Sequence, residues 1–269
     1  MSKGLLDPKV DFVFKNIFGS PNHPEILISF LNATLKAKKK IVNVDIKKTD
    51  IEKQYIEDKY SRLDVKATTS NDEIINIEIQ LKNENNMVKR SLYYLSKMYE
   101  EQLNEKEDYS KLVRTVCINI LNFKYLKTDN FHTGYRFKEI ESNEELTDIM
   151  EVHFIEIPKL QDSSDEKDML VAWTEFLKDP ESEKVRGLEL SIEEIRQAKD
   201  ELIRMSNDST QRELYDMRAN SLRDKMSELN AAERKGIEKG REEGREEGRK
   251  EEKEEGRKEE KIEIARNMK

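Results

Sequence analysis

The stretch from Tyr60 to Lys82, YSRLDVKATTSNDEIINIEIQLK, decides the fold. Apolar residues alternate through Leu63, Val65 and Ala67, and again through Ile75, Ile77, Ile79 and Leu81. That period of two belongs to strands with one apolar face. Thr69-Ser70-Asn71-Asp72 separates the two runs with turn-forming residues, so the stretch reads as a β-hairpin. Because successive side chains point to opposite faces, Arg62, Asp64, Lys66, Asn76, Glu78 and Gln80 share the other face. A pivot at Asn71 makes opposed residue numbers add to about 142, which sets Asp64 opposite Glu78 and Arg62 opposite Gln80.

Two carboxylates directly opposed on neighbouring strands repel. A hard divalent cation between them reverses the sign, and leaves most of its shell for water and phosphate. The other reading is a solvated strand face, because 39% of the residues are charged. The hairpin taken alone leaves both readings open.

With 269 residues the chain holds one good-sized domain with added elements, or two small ones. Only 35% of residues are hydrophobic, and they concentrate before about Pro158. A net charge of −8 does not announce a nucleic-acid binder, since phosphate affinity comes from clustered Lys and Arg. Cys117 is the only cysteine and sits inside VCINIL, which excludes internal disulfides and cysteine-based zinc sites and points to a small buried hydrophobe. The amino-terminal MSKGLLDPKVDFVFKNIF has no signal-type apolar core, and no membrane-spanning run occurs. A soluble cytoplasmic protein with no membrane partner is the expectation.

Outward from the hairpin, Asp7 to Phe18 predicts a helix with Pro8 in its opening turn and Gly19 at its end. EILISFLNATLK predicts a second helix, and Lys40 to Ile46 a strand. After the hairpin, Val88, Leu92, Leu95, Tyr99 and Leu103 recur at helical steps, with Tyr94 and Met98 widening the stripe. Leu112 to Leu121 reads as a strand buried on both faces, and Val152 to Ile157 as a further strand. From Asp165 onward only helices are predicted, and Trp173 reads as a packing anchor. The mixture of strands and helices indicates an α/β layered domain.

Residues 233 to 261 carry 12 acids and 11 bases, so this tail is nearly neutral and is no basic arm for DNA. Gly236, Gly240, Gly244 and Gly248 each weaken a helix by about 1 kcal/mol relative to Ala. No apolar residue occurs between Ile237 and Ile262, so no coiled-coil seam exists and the tail reads as a solvated helix or a disordered spacer.

Six blocks in order, DFVFKNIFG, EILISFLNATL, RLDVKA, INIEIQ, RSLYYLSKMYEEQL and YSKLVRTVCINIL, closely resemble the PD-(D/E)XK nuclease family of transposases, the recombination-promoting nuclease group. The match runs over roughly residues 5 to 160, and the helical segment with its Gly-Arg-Glu-Glu tail is also similar to members' carboxyl ends. The resemblance implies a restriction-endonuclease-like core, with a central mixed sheet flanked by helices and followed by an α-helical carboxyl-terminal segment. Its division is a nuclease-like domain over 1–160, a helical segment over 161–232 and the charged tail over 233–269. It also implies Mg2+-dependent DNA endonuclease activity in recombination. The family's acidic positions fall on Asp64 and Glu78 as metal ligands, and its glutamine on Gln80. The broader superfamily has Lys where Gln80 stands. A neutral amide can orient water but brings no positive charge. Lys66 and Lys82 share the polar face by parity, and Lys82 is preferred because it continues the Glu78-Ile79-Gln80 strand. Asp11 is a candidate accessory acid, weighed against a plain surface role. Lys89 and Arg90 are candidates for phosphate contact.

The scattered His23, His132 and His153 lack zinc-ligand spacing, and no Gly-rich phosphate loop is present. Two further readings compete with the DNA endonuclease. One is a catalytically decayed nuclease fold serving as a DNA-binding or assembly module. The other is a homo-oligomer formed through the helical carboxyl half.

Overall fold

The computed structural model describes residues 4–36, 39–47, 65–165 and 167–267. Arg62, Leu63 and Asp64 lie outside the described residues. The chain forms two compact units, Met1–Arg218 and Ala219–Lys269.

The first unit holds a six-stranded mixed sheet. Its strands are β1 (Val44–Lys47), β2 (Val65–Thr69), β3 (Ile74–Gln80), β4 (Thr115–Leu121), β5 (His132–Lys138) and β6 (Glu145–Glu156), in the order β1-β2-β3-β4-β6-β5. β1, β2 and β3 pair antiparallel, β3, β4 and β6 run parallel, and β5 returns antiparallel on β6. Every residue of β4 is buried, as its continuous Val/Ile run requires. β5 is not foretold by the apolar pattern. It is an outer strand whose residues Gly134 to Lys138 are half-exposed to exposed, so HTGYRFK lacks the alternation that marks a core strand. Pairing with it extends β6 back to Glu145, well before Val152.

The helices are α1 (Asp11–Phe18), α2 (Pro24–Leu35), α3 (Met87–Glu100), α4 (Met169–Lys178), α5 (Glu183–Glu189), α6 (Glu193–Asn207) and α7 (Ser209–Asn267). α1 starts later than Asp7 because the Asp7 side chain accepts from Lys9 N–H at 2.9 Å and a turn closes from Val10 N–H to Asp7 O. Gly19 ends it by donating to Lys15 O, and a Cβ there would lie 2.6 Å from that oxygen. Phe14, Phe18, Phe30, Trp173 and Phe176 then form one aromatic cluster across α1, α2 and α4. Val65 Cγ2 approaches the end of α1 at Gly19, so the Val65, Ile75, Ile77 face of the sheet belongs to this layer.

α3 covers the opposite face. Met87 and Leu95 pack with Cys117, Leu121, Val152 and Phe154. The buried stripe is Met87, Ser91, Tyr94, Leu95 and Met98, whereas Val88 and Leu92, placed on the predicted stripe, are 41% and 49% exposed. The helix is rotated because the sheet beneath is partly polar, and Ser91 rather than Leu92 meets it.

In the second unit the described residues are helical to Asn267, and the side chains of Gly236 to Gly244 are all exposed. Lys239 pairs with Glu243 at 3.6 Å and Lys250 with Glu246 at 3.0 Å. Up to Lys253 the tail is thus a solvated helix, one of the two expected states. Among the described residues no helix is long and apolar enough to cross a membrane.

Candidate active site

The hairpin has the expected register. Val65 faces Ile77, Lys66 faces Asn76, Ala67 faces Ile75 and Thr68 faces Ile74, so each pair of numbers adds to 142. Asp72 adopts the left-handed conformation (φ 61°) in the turn, which Asp tolerates better than most residues. Thr69 N–H donates to Glu73 O at 2.9 Å and closes the loop.

What the strand pattern does not disclose is that the polar face is roofed. Asn76, Glu78 and Asn119 are completely buried, and Ser91 nearly so. In the parallel β3/β4 register Asn76 lies beside Cys117, Glu78 beside Asn119 and Gln80 beside Leu121. Asn119 Nδ2 donates to His153 O at 3.1 Å, and Ser91 Oγ approaches Asn119 Oδ1 at 2.9 Å from the helix above. The Glu78 carboxylate is met by Arg90, with Nε 3.2 Å from Oε2, and that guanidinium lies 5.4 Å from the centre of the Tyr94 ring. Burial, and then the Glu78 charge, push the Cys117 thiol up to about 12, so it stays protonated and inert as the sequence suggests.

Gln80 ends β3, half-buried, and its carbonyl accepts from Asn122 N–H at 2.9 Å. Lys66 lies 4.0 Å from Glu101 of the loop after α3. Lys82 follows the end of the strand in a bend, partly exposed. Lys89 is exposed, whereas Arg90 is turned inward to Glu78. Asp11 pairs with Arg218 at 3.3 Å, and its other oxygen takes Phe12 N–H, which gives it a structural occupation.

The fold also joins residues that the sequence leaves apart. His132 Nε2 lies 2.9 Å from His153 Nδ1, and His153 Nε2 lies 2.7 Å from Glu151 Oε1. Glu151 also binds Arg114 and Arg136, and Arg114 continues to Glu73. Burial, joined by the charge of His153, lowers His132 to about 4. Burial works to raise Glu151, but hydrogen bonds from His153 and Arg114 overrule it and hold the carboxyl at about 2. Gly134 opposes His153 in the β5/β6 register, and a Cβ on it would come 3.1 Å from His153 Cε1. Only that missing side chain at a neighbour's position hinted at the ring packing.

Among the described residues no three His, Cys, Asp or Glu side chains converge as a metal cage. The donor chemistry still fits a hard cation at β3. Glu78 offers carboxylate oxygens and Gln80, two residues on along the same face, an amide oxygen. Beside Glu78, both polar side-chain atoms of Asn76 are buried without a hydrogen-bond partner among the described residues. Oxygen ligands of this kind suit Mg2+, which asks for few protein ligands and keeps waters.

A mixed sheet with helices on both faces and acidic and amide groups on one central strand defines a restriction-endonuclease-like α/β protein. The profile of the PD-(D/E)XK nuclease family transposases matches residues 8–232, and the chain belongs to that family. Membership carries a nuclease- or transposase-like function, that of a hydrolase acting on nucleic acids, and nucleases of this kind generally use divalent metal ions. Comparison with curated proteins finds no match, and neither does comparison with solved structures.

Proposed function

We propose that the chain is a Mg2+-dependent DNA endonuclease that hydrolyses phosphodiester bonds in recombination or transposition. The observation that carries the reading is Glu78, a carboxylate held in the sheet interior of a PD-(D/E)XK family member, on the hairpin whose register was expected. A buried acid on a central strand has little structural purpose of its own and is costly to keep there.

In this reading Asp64 and Glu78 hold the cation. A bound divalent cation supplies Lewis-acid polarisation of the phosphate and a more acidic water. Gln80 orients the attacking water through its amide, and Lys82 brings positive charge to the developing phosphorane, with Lys66 as the alternative. Residues 1–160 form the nuclease-like domain, 161–232 the helical segment and 233–269 the charged tail. The partner is DNA, and the place of action the cytoplasm.

The test is plasmid cleavage by the purified chain. Nicking or linearisation with Mg2+, lost in chelator and lost in both Asp64→Ala and Glu78→Ala, is expected. Undiminished cutting by both variants would overturn the site. A second reading, a decayed nuclease fold acting as a DNA-binding or assembly module, is favoured by the amide of Gln80 where the superfamily carries a lysine. No cleavage with any divalent metal, together with DNA binding that weakens steeply with salt, would select it.

A further inference from the structure

We propose that Arg90 is the charge-balancing partner of the Glu78 site: it neutralises the buried carboxylate in the metal-free protein and competes with the divalent cation for it. The inference rests on the metal-site reading above. Arg90 is a positioning residue here, acting through Glu78.

Four observations support it. The Glu78 side chain is 1% exposed, and an ionised carboxylate so deep in the protein needs a counter-charge. Arg90 supplies one at 3.2 Å. Arg90 also stands in the first turn of α3 together with Lys89, a turn that contains no acidic residue. The helix field there disfavours cations, so the site on the sheet and not the helix accounts for the arginine. Finally, among the described residues Arg90 Nε–H is aligned on no hydrogen-bond acceptor, so its 3.2 Å approach to Glu78 Oε2 is charge proximity rather than a directed bond. With the Tyr94 ring beside it and its side chain 21% exposed, the guanidinium has somewhere to remain when a metal takes the carboxylate. One carboxylate cannot fully neutralise two close cations, so each must weaken the other's hold on Glu78.

The experiment is titration of the full chain with Mn2+ by calorimetry, with Tm measured in chelator and in excess Mn2+. Arg90→Gln is expected to bind Mn2+ about 10-fold more tightly than wild type. It should also melt lower in chelator and recover on adding Mn2+ by more than wild type gains. Unchanged or weaker binding by Arg90→Gln, where wild type binds and Glu78→Gln does not, overturns the proposal alone. No Mn2+ binding by wild type, or wild-type affinity in Glu78→Gln, overturns the metal-site reading and this inference with it. Should Arg90→Gln fail to fold, the double variant Glu78→Gln/Arg90→Gln decides. A folded double variant establishes the charge coupling, and an unfolded one makes Arg90 a packing residue and overturns the proposal.

Discussion

Ser91 Oγ lies 2.9 Å from Asn119 Oδ1 and 2.7 Å from Met87 O, so a single hydroxyl proton is shared between the sheet and the turn of α3 above it. The contact fastens the helix over the candidate site through a polar bond in a buried place. Removing the hydroxyl in Ser91→Ala leaves Asn119 Oδ1 without its helix partner, and a loss of about 1–3 kcal/mol in unfolding free energy is expected. Asn119→Ala should cost more, because the bond to His153 O goes as well. Urea titration of both variants checks the order.

The site reading ranks four substitutions. Glu78→Gln keeps the shape of the buried side chain and removes its charge, and cleavage should fall by about 10³-fold or more. Gln80→Ala should lose less, about 10–100-fold, since water orientation by one neutral hydrogen bond is at stake. Lys82→Ala should lose about 100-fold and Lys66→Ala less than about 10-fold, for Lys66 lies near Glu101. Single-turnover nicking assays at saturating Mg2+ measure all four. A larger loss in Lys66→Ala than in Lys82→Ala would exchange the roles of the two lysines.

Acid should weaken the fold in two windows. His132 is lowered from 6.5 to about 4, so the unfolded chain takes the proton first; stability is full above pH 6.5 and declines as pH falls towards 4. Glu151 is lowered from 4.5 to about 2, so its contribution is full above pH 4.5 and is lost as pH falls through 2. Each window amounts to about 3 kcal/mol. Denaturation of wild type and His132→Gln at stepped pH separates them: the variant should lose the upper window and keep the lower.

The hairpin register was legible because a period of two and one turn leave little freedom, and four observed pairs follow it. The burial of Glu78 was not. Asn76 and Glu78 read as a polar face that solvent or a metal could occupy, since a strand pattern reports which residues share a face and never what covers it, whereas Asn119 fell in a run expected to be buried on both sides. The same blindness put Val88 and Leu92 on the buried stripe of α3, where a polar sheet instead selected Ser91. The His132–His153 contact depends on the pairing of β5 with β6, and β5 carries too little apolar alternation to be seen beforehand. Asp64, proposed as the second acid of the site, lies outside the described residues.

Trp173 is fully buried, edge-on to Phe18 and Phe176, with its indole N–H 3.2 Å from Ser29 Oγ. Truncation to Ala removes the centre of the aromatic cluster and should cost about 3–5 kcal/mol. Trp173→Phe, which keeps most of the volume, should cost clearly less. As the only tryptophan, Trp173 also reports on the first unit, and its emission should shift to longer wavelength in a single transition with denaturant.

The tail offers a test in which the two units answer separately. Gly240, Gly244 and Gly248 lie in α7, and an added Cβ at any of them meets nothing within 4 Å. Substituting all three by Ala therefore changes only helix propensity, by about 1 kcal/mol per position, because alanine restricts the unfolded chain and creates no clash. Amide exchange across residues 236–252 should slow by more than 10-fold, following that free energy. The denaturant midpoint read by Trp173 fluorescence should stay at its wild-type value, since Trp173 belongs to the first unit. A shift in that midpoint would show that the helix of the second unit is coupled to the nuclease fold, and an unchanged exchange rate would show that the glycines do not limit the helix.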